Sequence, residues 1–419
     1  MNGRGSGTRD EQIAAQYVGA QFRRLGFEPG GTGGSYVQTV KVERRTLTAP
    51  PVLVVGDPAA PKARWTHGRE MLVLVVGQET VAGPLQRIDF SAGPAPAVTP
   101  GALVLMLNAP APDTANELFK QGAAGILSPE TPRTPARMDN PRLPALRATI
   151  VGVASQQASR PTVVTVSTDA VAVLKDLPEG TRIALELTAS EPQSSETCNA
   201  VGILRGSDPS GDAILITSHL DHLGRRETAT GPDKIFNGAD DDASGTVAVI
   251  EVAQALARRG TPKRTIIFAS FGSEEAGGFG ATYLRENPPV PLEKIVANVE
   301  FEMIGRPDPK VPPHTLWLTG YERSDLGAAL AAHGARLVAD PHLDQNFFRR
   351  SDNYTLALRG VVAHTVSSYN LHPQYHTPAD ETRLVDYAHM TEAIGSMVAP
   401  LAWLANSDFR PQWKAGMKP

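Results

Sequence analysis

Thr217-Ser218-His219-Leu220-Asp221-His222 is followed at a short distance by Gly238-Ala239-Asp240-Asp241-Asp242-Ala243-Ser244-Gly245, and the reading of the chain turns on this stretch. Just upstream, Asp212-Ala213-Ile214-Leu215-Ile216-Thr217 is a short apolar run bounded by turn residues, the pattern of a buried strand in a parallel sheet. His219 and Asp221 fall at its C-terminal end, two residues apart and on the same side of the pleat. Ligand sites of open α/β sheets form at that edge. Three consecutive aspartates beside an imidazole repel one another unless a cation sits among them, so the stretch predicts a divalent metal site.

Downstream the pattern alternates. Strands are predicted over 200–204, 213–218, 264–271, 297–302, 315–319 and 360–365, with helices over 244–258 and 384–405. Val247, Ile250 and Ala257 are expected on one face of the first helix. Such alternation argues a mostly parallel sheet covered by helices. At the N-terminus, residues 10–26 read as a helix with Ile13, Ala14, Tyr17, Ala20 or Gln21, and Leu25 as its apolar stripe and Gly26 as its stop. Residues 36–42 alternate like a strand.

Between them the texture changes. From about residue 45 the chain is rich in Pro and Gly, with short strands expected over 71–76, 102–107, 162–166 and 182–187 and one helix over 113–121. His67 is the only histidine before His219, and no carboxylate–imidazole pairing is visible there. A chain of 419 residues exceeds what one core usually supports. The expected division is therefore 1–48 with 192–419 as the unit that carries chemistry, and 49–191 as an inserted β-rich domain that carries none.

Composition excludes several classes. Forty Lys and Arg against 44 Asp and Glu give a net charge of −4, and the pI is near 6.2, so nothing favours nucleic acid or an anionic membrane as partner. No apolar run approaches the roughly 18–20 residues of a membrane span. Residues 1–8 lack the apolar core of a signal peptide. The single cysteine, Cys198, is expected as a small buried hydrophobe and does not decide the compartment.

Four further polar clusters fall where strands end: Ser273-Glu274-Glu275-Ala276-Gly277-Gly278, Glu300-Phe301-Glu302-Met303-Ile304-Gly305, Ser351-Asp352-Asn353 and Tyr369-Asn370-Leu371-His372-Pro373-Gln374-Tyr375-His376-Thr377-Pro378. One cluster per strand end on one edge of a sheet describes a catalytic crevice. Imidazole and carboxylate donors without cysteine suit zinc, with manganese or cobalt as tolerable substitutes. Taken singly, each has a plainer reading. Glu-Glu pairs are usually solvated, and an acidic triplet before a helix often only caps it, a role open to Asp240 and Asp242. His222, His364 and His372 lie near the motifs as further candidates.

The ordered series His219-Leu220-Asp221, Gly238 to Gly245, Glu274-Glu275, Glu302-Met303-Ile304-Gly305 and Tyr375-His376-Thr377-Pro378 resembles the M28 family of zinc aminopeptidases and carboxypeptidases over residues 195 to about 405. Residues 3–45 resemble that family's lead-in, and about 50–190 resembles a protease-associated (PA) domain inserted in the catalytic one. The resemblance implies an α/β fold of zinc-exopeptidase type and two zinc ions per chain. His219 and Glu302 would hold one ion, Glu275 and His376 the other, and Asp241 would bridge them. Asp221 matches the acid that orients His219, Glu274 the general base and Tyr375 the phenol that stabilises a tetrahedral intermediate. A cis peptide after Asp241 is implied as well. Many relatives carry Asp where this chain has Glu302, and Glu300, two residues earlier, competes for that role.

The expectation is a di-zinc metallopeptidase acting on peptides, in first place an aminopeptidase. The alternatives are a carboxypeptidase or dipeptidase, with Arg306, Arg349 or Arg350 holding a substrate carboxylate; a cyclotransferase like the single-zinc glutaminyl cyclases; and a receptor-like binding protein without catalysis. By analogy with PA-containing relatives, the protein is expected to be secreted or periplasmic.

Overall fold

The computed structural model describes residues 1–78, 80–92, 97–108, 114–132, 134–153, 161–208 and 211–419. It divides into two compact units, Met1–Val42 with Ser195–Pro419, and Glu43–Ser194.

In the second of these, strands run in the spatial order 60–66, 52–57, 182–186, 81–88, 103–106, 125–129, 162–166, 71–75. The strands from 81–88 through 162–166 are parallel and the outer pairings are antiparallel. The helix expected over 113–121 is observed as Thr114–Lys120, with Leu118 buried and residue 113 outside the described residues. Strands over 52–57, 60–66, 81–88 and 125–129 were not anticipated. Gly83, Pro84, Pro129 and the Pro50-Pro51 pair break their sequence pattern into turn-like punctuation. This unit is thus built on a parallel centre and is less purely β than its composition implied.

The first unit carries the site. Its elements are α1 (Arg9–Arg24), β1 (Val37–Arg44), β2 (Gln193–Leu204), β3 (Ala213–His219), α2 (Gly245–Ala257), β4 (Thr265–Phe271), α3 (Phe279–Glu286), β5 (Ile295–Phe301), β6 (Leu316–Leu318), α4 (Leu326–Ala332), β7 (Leu337–Ala339), α5 (Asn353–Ala357), β8 (Val362–Ser367) and α6 (Tyr387–Asn406). The sheet order is β7-β6-β8-β5-β3-β4-β2-β1. The central strands β8, β5, β3 and β4 are mutually parallel, while β6 and β2 pair antiparallel to β8 and β4. Every residue of the four central strands is buried, which is why they read as largely apolar runs without an alternating polar face. Cys198 is buried on β2, as expected of a small hydrophobe.

Two helix faces differ from the sequence reading. On α1, Glu11, Ala14, Ala15, Val18, Gly19 and Phe22 are buried, while Ile13 and Tyr17 are 39% and 61% exposed. Two stripes one residue apart both satisfy the helical period. The choice falls to Phe22, whose ring packs with Phe27 and Phe268 at centroid distances of 6.1 and 6.2 Å. Gly202 on β2 makes room for it, since a Cβ there would lie 2.7 Å from the Phe22 ring. On α2, Val247 is 44% exposed while Ala248, Val249, Ile250, Val252, Ala253 and Leu256 are buried. That helix is apolar on nearly every side, so periodicity could not orient it.

His364 on β8 belongs to this core. Its Nδ1–H donates to the Thr319 carbonyl at 2.7 Å and its Nε2 accepts from the Ser324 hydroxyl at 2.7 Å. Burial pulls its pKa down to about 4, only partly opposed by the Thr319 hydrogen bond. An unfolded histidine takes a proton below about 6.5, the folded one only near 4, so in that window the unfolded state binds more protons. Stability is therefore lost as the pH falls from 6.5 towards 4. Urea unfolding across this window is expected to show a shallower pH slope for His364→Gln than for the natural protein; equal slopes would contradict a neutral buried His364.

Candidate metal centre

Because β8, β5, β3 and β4 are parallel neighbours, their C-terminal ends share one edge, and the loops that leave it converge. His219 is the last residue of β3. Asp241 lies in the turn Ala239–Ser244 that leads into α2. Glu274 and Glu275 follow β4, Glu302 follows β5, and Tyr375 and His376 lie in the loop after β8.

Asp241 sits at the centre with one oxygen turned to each side. Its Oδ1 is 3.1 Å from His219 Nε2, and its Oδ2 is 3.2 Å from His376 Nε2. Glu275 Oε1 lies 3.1 Å from His376 Nε2 and 2.8 Å from His222 Nδ1, which is itself 3.7 Å from Asp241 Oδ2. Two groups of donors thus have ligand atoms within 4.8 Å of one another, His219–Asp241–Glu302 and His222–Asp241–Glu275. His376 borders the second. His222, which the sequence offered only as a neighbour of the motifs, faces both Glu275 and Asp241.

The remaining acids hold this arrangement. Asp221 accepts the Glu274 N–H at 3.0 Å and the Glu275 N–H at 3.3 Å, and the Ser6 hydroxyl at 2.5 Å. His219 Nδ1 faces the Asp221 backbone carbonyl at 3.2 Å and its carboxylate at 3.6 Å. Asp242 accepts the backbone N–H groups of His219, Gly245 and Met303 at 3.0–3.1 Å, tying β3, the start of α2 and the end of β5 together. Asp240 accepts from Gly305 N–H at 2.7 Å and meets His372 Nε2 at 3.0 Å. His372 therefore serves Asp240, and His364 lies in the core. Glu300 accepts from Asn353 N–H at 2.6 Å and the Thr365 hydroxyl at 3.1 Å, which commits one of its oxygens to the scaffold. The Asp241–Asp242 peptide is cis.

Electrostatics separates groups of the same chemistry. Burial pushes Glu274 well above the ordinary carboxylate range, with Glu302, Asp352 and Glu275 adding to the shift against His219. Glu302 is likewise pushed up to about 8 by burial, against His219 and with Glu300 and Asp241. Burial also acts on Glu275, but the adjacent His222 and His376 rings hold it down at about 2. Asp241 is held below the usual range by His219 and His376 despite its burial. His376, which burial alone would lower, is raised to about 9 by Asp241 and Glu275.

These groups open on a cavity of about 340 Å³ lined by Glu274, Trp317, Phe347, Arg350, Tyr369 and Tyr375 among others. The Tyr375 ring stacks on His376 with centroids 3.8 Å apart. Of the arginines singled out in the sequence, Arg306 is buried and committed to Asp380 at 3.1 Å and Gln374 at 3.0 Å. Arg349 lies over Tyr354, whereas Arg350 lies over Phe347 in the cavity wall.

Similarity to known proteins follows the same segment. Residues 199–401 match the profile of peptidase family M28. An aminopeptidase of Pseudomonas aeruginosa is 34% identical over 117 residues, covering 28% of this chain and 20% of that protein. The leupeptin-inactivating enzyme 1 of Streptomyces exfoliatus is 34% identical over 113 residues, 26% of this chain and 23% of that protein. The matched segment thus spans about a fifth of the length of these curated relatives. Among solved structures, the aminopeptidase from Aneurinibacillus sp. strain AM-1 superposes with a TM-score of 0.50 at 20% identity, covering 100% of this chain and 92% of that one. A zinc aminopeptidase from Bacillus subtilis gives 0.50 at 16% identity, covering 97% and 92%. Those likenesses establish the shared mixed α/β fold, and all five candidate ligands lie within residues 199–401, the segment that matches peptidase family M28.

Proposed function

We propose that this protein is a di-zinc exopeptidase, an aminopeptidase that releases N-terminal residues from peptides. The observation that carries this reading is the split of Asp241, one oxygen towards His219 and the other towards His376, in a residue shared by two donor groups, one completed by Glu302 and one by Glu275. The residues fit the ions chemically. His219 Nε2, Glu275 Oε1 and Glu302 Oε2 are buried and lack a well-formed hydrogen bond, and the donor set is all nitrogen and oxygen. His219 and Glu302 would hold one zinc, Glu275 and His376 the second, with Asp241 shared and His222 fixing Glu275.

Zinc bound here would lower the pKa of a water and polarise the scissile carbonyl. Glu274, its basicity raised by burial, accepts the proton of the attacking water and returns it to the leaving amine. Burial, with Asp241 and Glu275 close by, keeps the Tyr375 phenol protonated so that it donates to the developing oxyanion. Asp221 holds the Glu274 and Glu275 backbones in place through their N–H groups. The unit 43–194 is read as a PA-like insertion without ligands, and both candidate metal groups found among the described residues lie outside it. Among the described residues no helix is long and apolar enough to cross a membrane. Export is proposed from the family analogy alone.

A second reading, a carboxypeptidase or dipeptidase, is favoured by Arg350 in the cavity wall, where a guanidinium can meet a substrate carboxylate. Aminoacyl and N-blocked peptides followed by mass spectrometry separate the two: loss of N-terminal residues is expected, and cleavage of N-blocked peptides from the C-terminus would install the second reading.

Elemental analysis is expected to find two zinc ions per chain, and returning zinc to chelated protein should raise its melting temperature, since a ligand at a thousandfold its dissociation constant stabilises by about 4 kcal/mol. One ion per chain, unaffected by His219→Ala, would favour the cyclotransferase reading.

Glu274→Gln is expected to keep both ions and lose on the order of 10²–10⁴ in turnover. Glu275→Gln should lose zinc and activity together. The reverse pattern would exchange the two roles, and unchanged turnover in both would remove the mechanism.

A further inference from the structure

We infer that Arg4 is a positioning residue of the metal centre, its guanidinium locking the two loops that carry His219 and Asp241 into one frame. The inference rests on the metal reading above and goes beyond it, because no role in the chemistry was assigned to residues before 219. Arg4 donates from Nε to the Leu220 carbonyl at 2.9 Å, from Nη1 to the Asn237 carbonyl at 2.7 Å and from Nη2 to the Gly238 carbonyl at 2.9 Å. Leu220 stands between His219 and Asp221, and Gly238 three residues before Asp241. One rigid, planar donor set therefore spans both loops on the ligand side of the short antiparallel pairing of Gly224–Arg225 with Ile235–Phe236. Only arginine presents donors in such a fork.

The segment around Arg4 is built to reach this position. Arg4 has φ 49°, in the left-handed region, and its carbonyl accepts the His222 N–H at 3.1 Å. A Cβ at Gly3 would lie 2.2 Å from the Phe236 carbonyl oxygen, and one at Gly5 only 3.1 Å from the Gly224 Cα. Glycine on each side thus lets the chain thread between the two loops. The same segment continues to the other ligand turn. Ser6 donates to Asp221, and Glu11 accepts the Ser273 N–H at 2.8 Å just ahead of Glu274 and Glu275. Arg4 also faces the carboxylates of Asp221, Asp241, Asp242 and Asp380 as a fixed positive charge among them.

The test uses Arg4→Gly, which removes the guanidinium and suits the positive φ, with Arg4→Lys as a second variant that keeps the charge but cannot span three carbonyls. Zinc affinity is measured by competition with a chromogenic chelator, and the cobalt(II)-substituted protein by its visible absorption. Loss of partners that orient metal ligands typically costs 10–100-fold in affinity, so both variants are expected to bind zinc 10–100-fold more weakly. Both should show an altered cobalt spectrum, and millimolar guanidinium should restore the spectrum of Arg4→Gly. Should Arg4→Gly fail to fold, Arg4→Lys decides. Natural affinity and spectrum in the folded variants would overturn the role of Arg4, as would weakened binding without any change in the cobalt spectrum or rescue. If the natural protein itself binds no metal, the metal reading fails instead.

Discussion

Like charges gathered in a poorly solvated pocket are the constraint around which this catalytic unit is arranged. Asp221, Asp240, Asp241 and Asp242 are all buried within one short stretch, and Glu274, Glu275, Glu300 and Glu302 converge on it from β4 and β5, the strands on either side of β3. Two such charges 4 Å apart repel by about 4 kcal/mol at an effective dielectric of 20. The chain answers with backbone N–H groups, four imidazoles and the guanidinium groups of Arg4 and Arg306. Asp242 takes the N–H groups of three separate elements, and Arg306 neutralises Asp380, which in turn accepts the N–H groups of Asp240 and Asp241. What is left over lies at Asp241, between the two donor groups, and there the balance calls for cations.

The sheet decides where that excess collects. β8, β5, β3 and β4 are adjacent and parallel, so residues separated by more than 150 positions leave the same edge. The turns beyond it are fixed individually. Ser273 and Met303, beside site residues, and His376 itself hold positive φ angles, a conformation costly for non-glycine residues and maintained only where the surroundings over-determine it. Ser273 and Met303 are pinned through their N–H groups by Glu11 and Asp242.

Adjacency does not make Glu274 and Glu275 alike. Their N–H groups share one acceptor, Asp221, but their side chains diverge. Glu275 meets His222 and His376 and is held ionised. Glu274 faces the cavity without an imidazole on it, and burial raises its basicity. Environments that push two carboxyls apart in this way commonly mark different tasks at one site.

By itself the sequence determined the α/β alternation after residue 199, because a fully buried parallel strand leaves a largely apolar run such as 213–217 or 265–271. It also marked His219, Glu274, Glu275 and Glu302 as candidates, because each follows such a run within a few residues, and Asp241 and His376 through the acidic triplet and the Tyr-His-Thr-Pro stretch of the M28-like series. Only the tertiary structure decided the rest. The buried face of α1 was settled by the fit of Phe22 over Gly202, since the helical period permits a second stripe. His364 and His372 were separated from His222 by contacts 40 to 132 positions away, with Ser324, Asp240 and Glu275, that leave no local pattern. Arg4 and Glu11 read as ordinary polar residues of a lead-in, because a side chain's partners across a fold are set by where the backbone returns, and spacing along the chain carries no record of that.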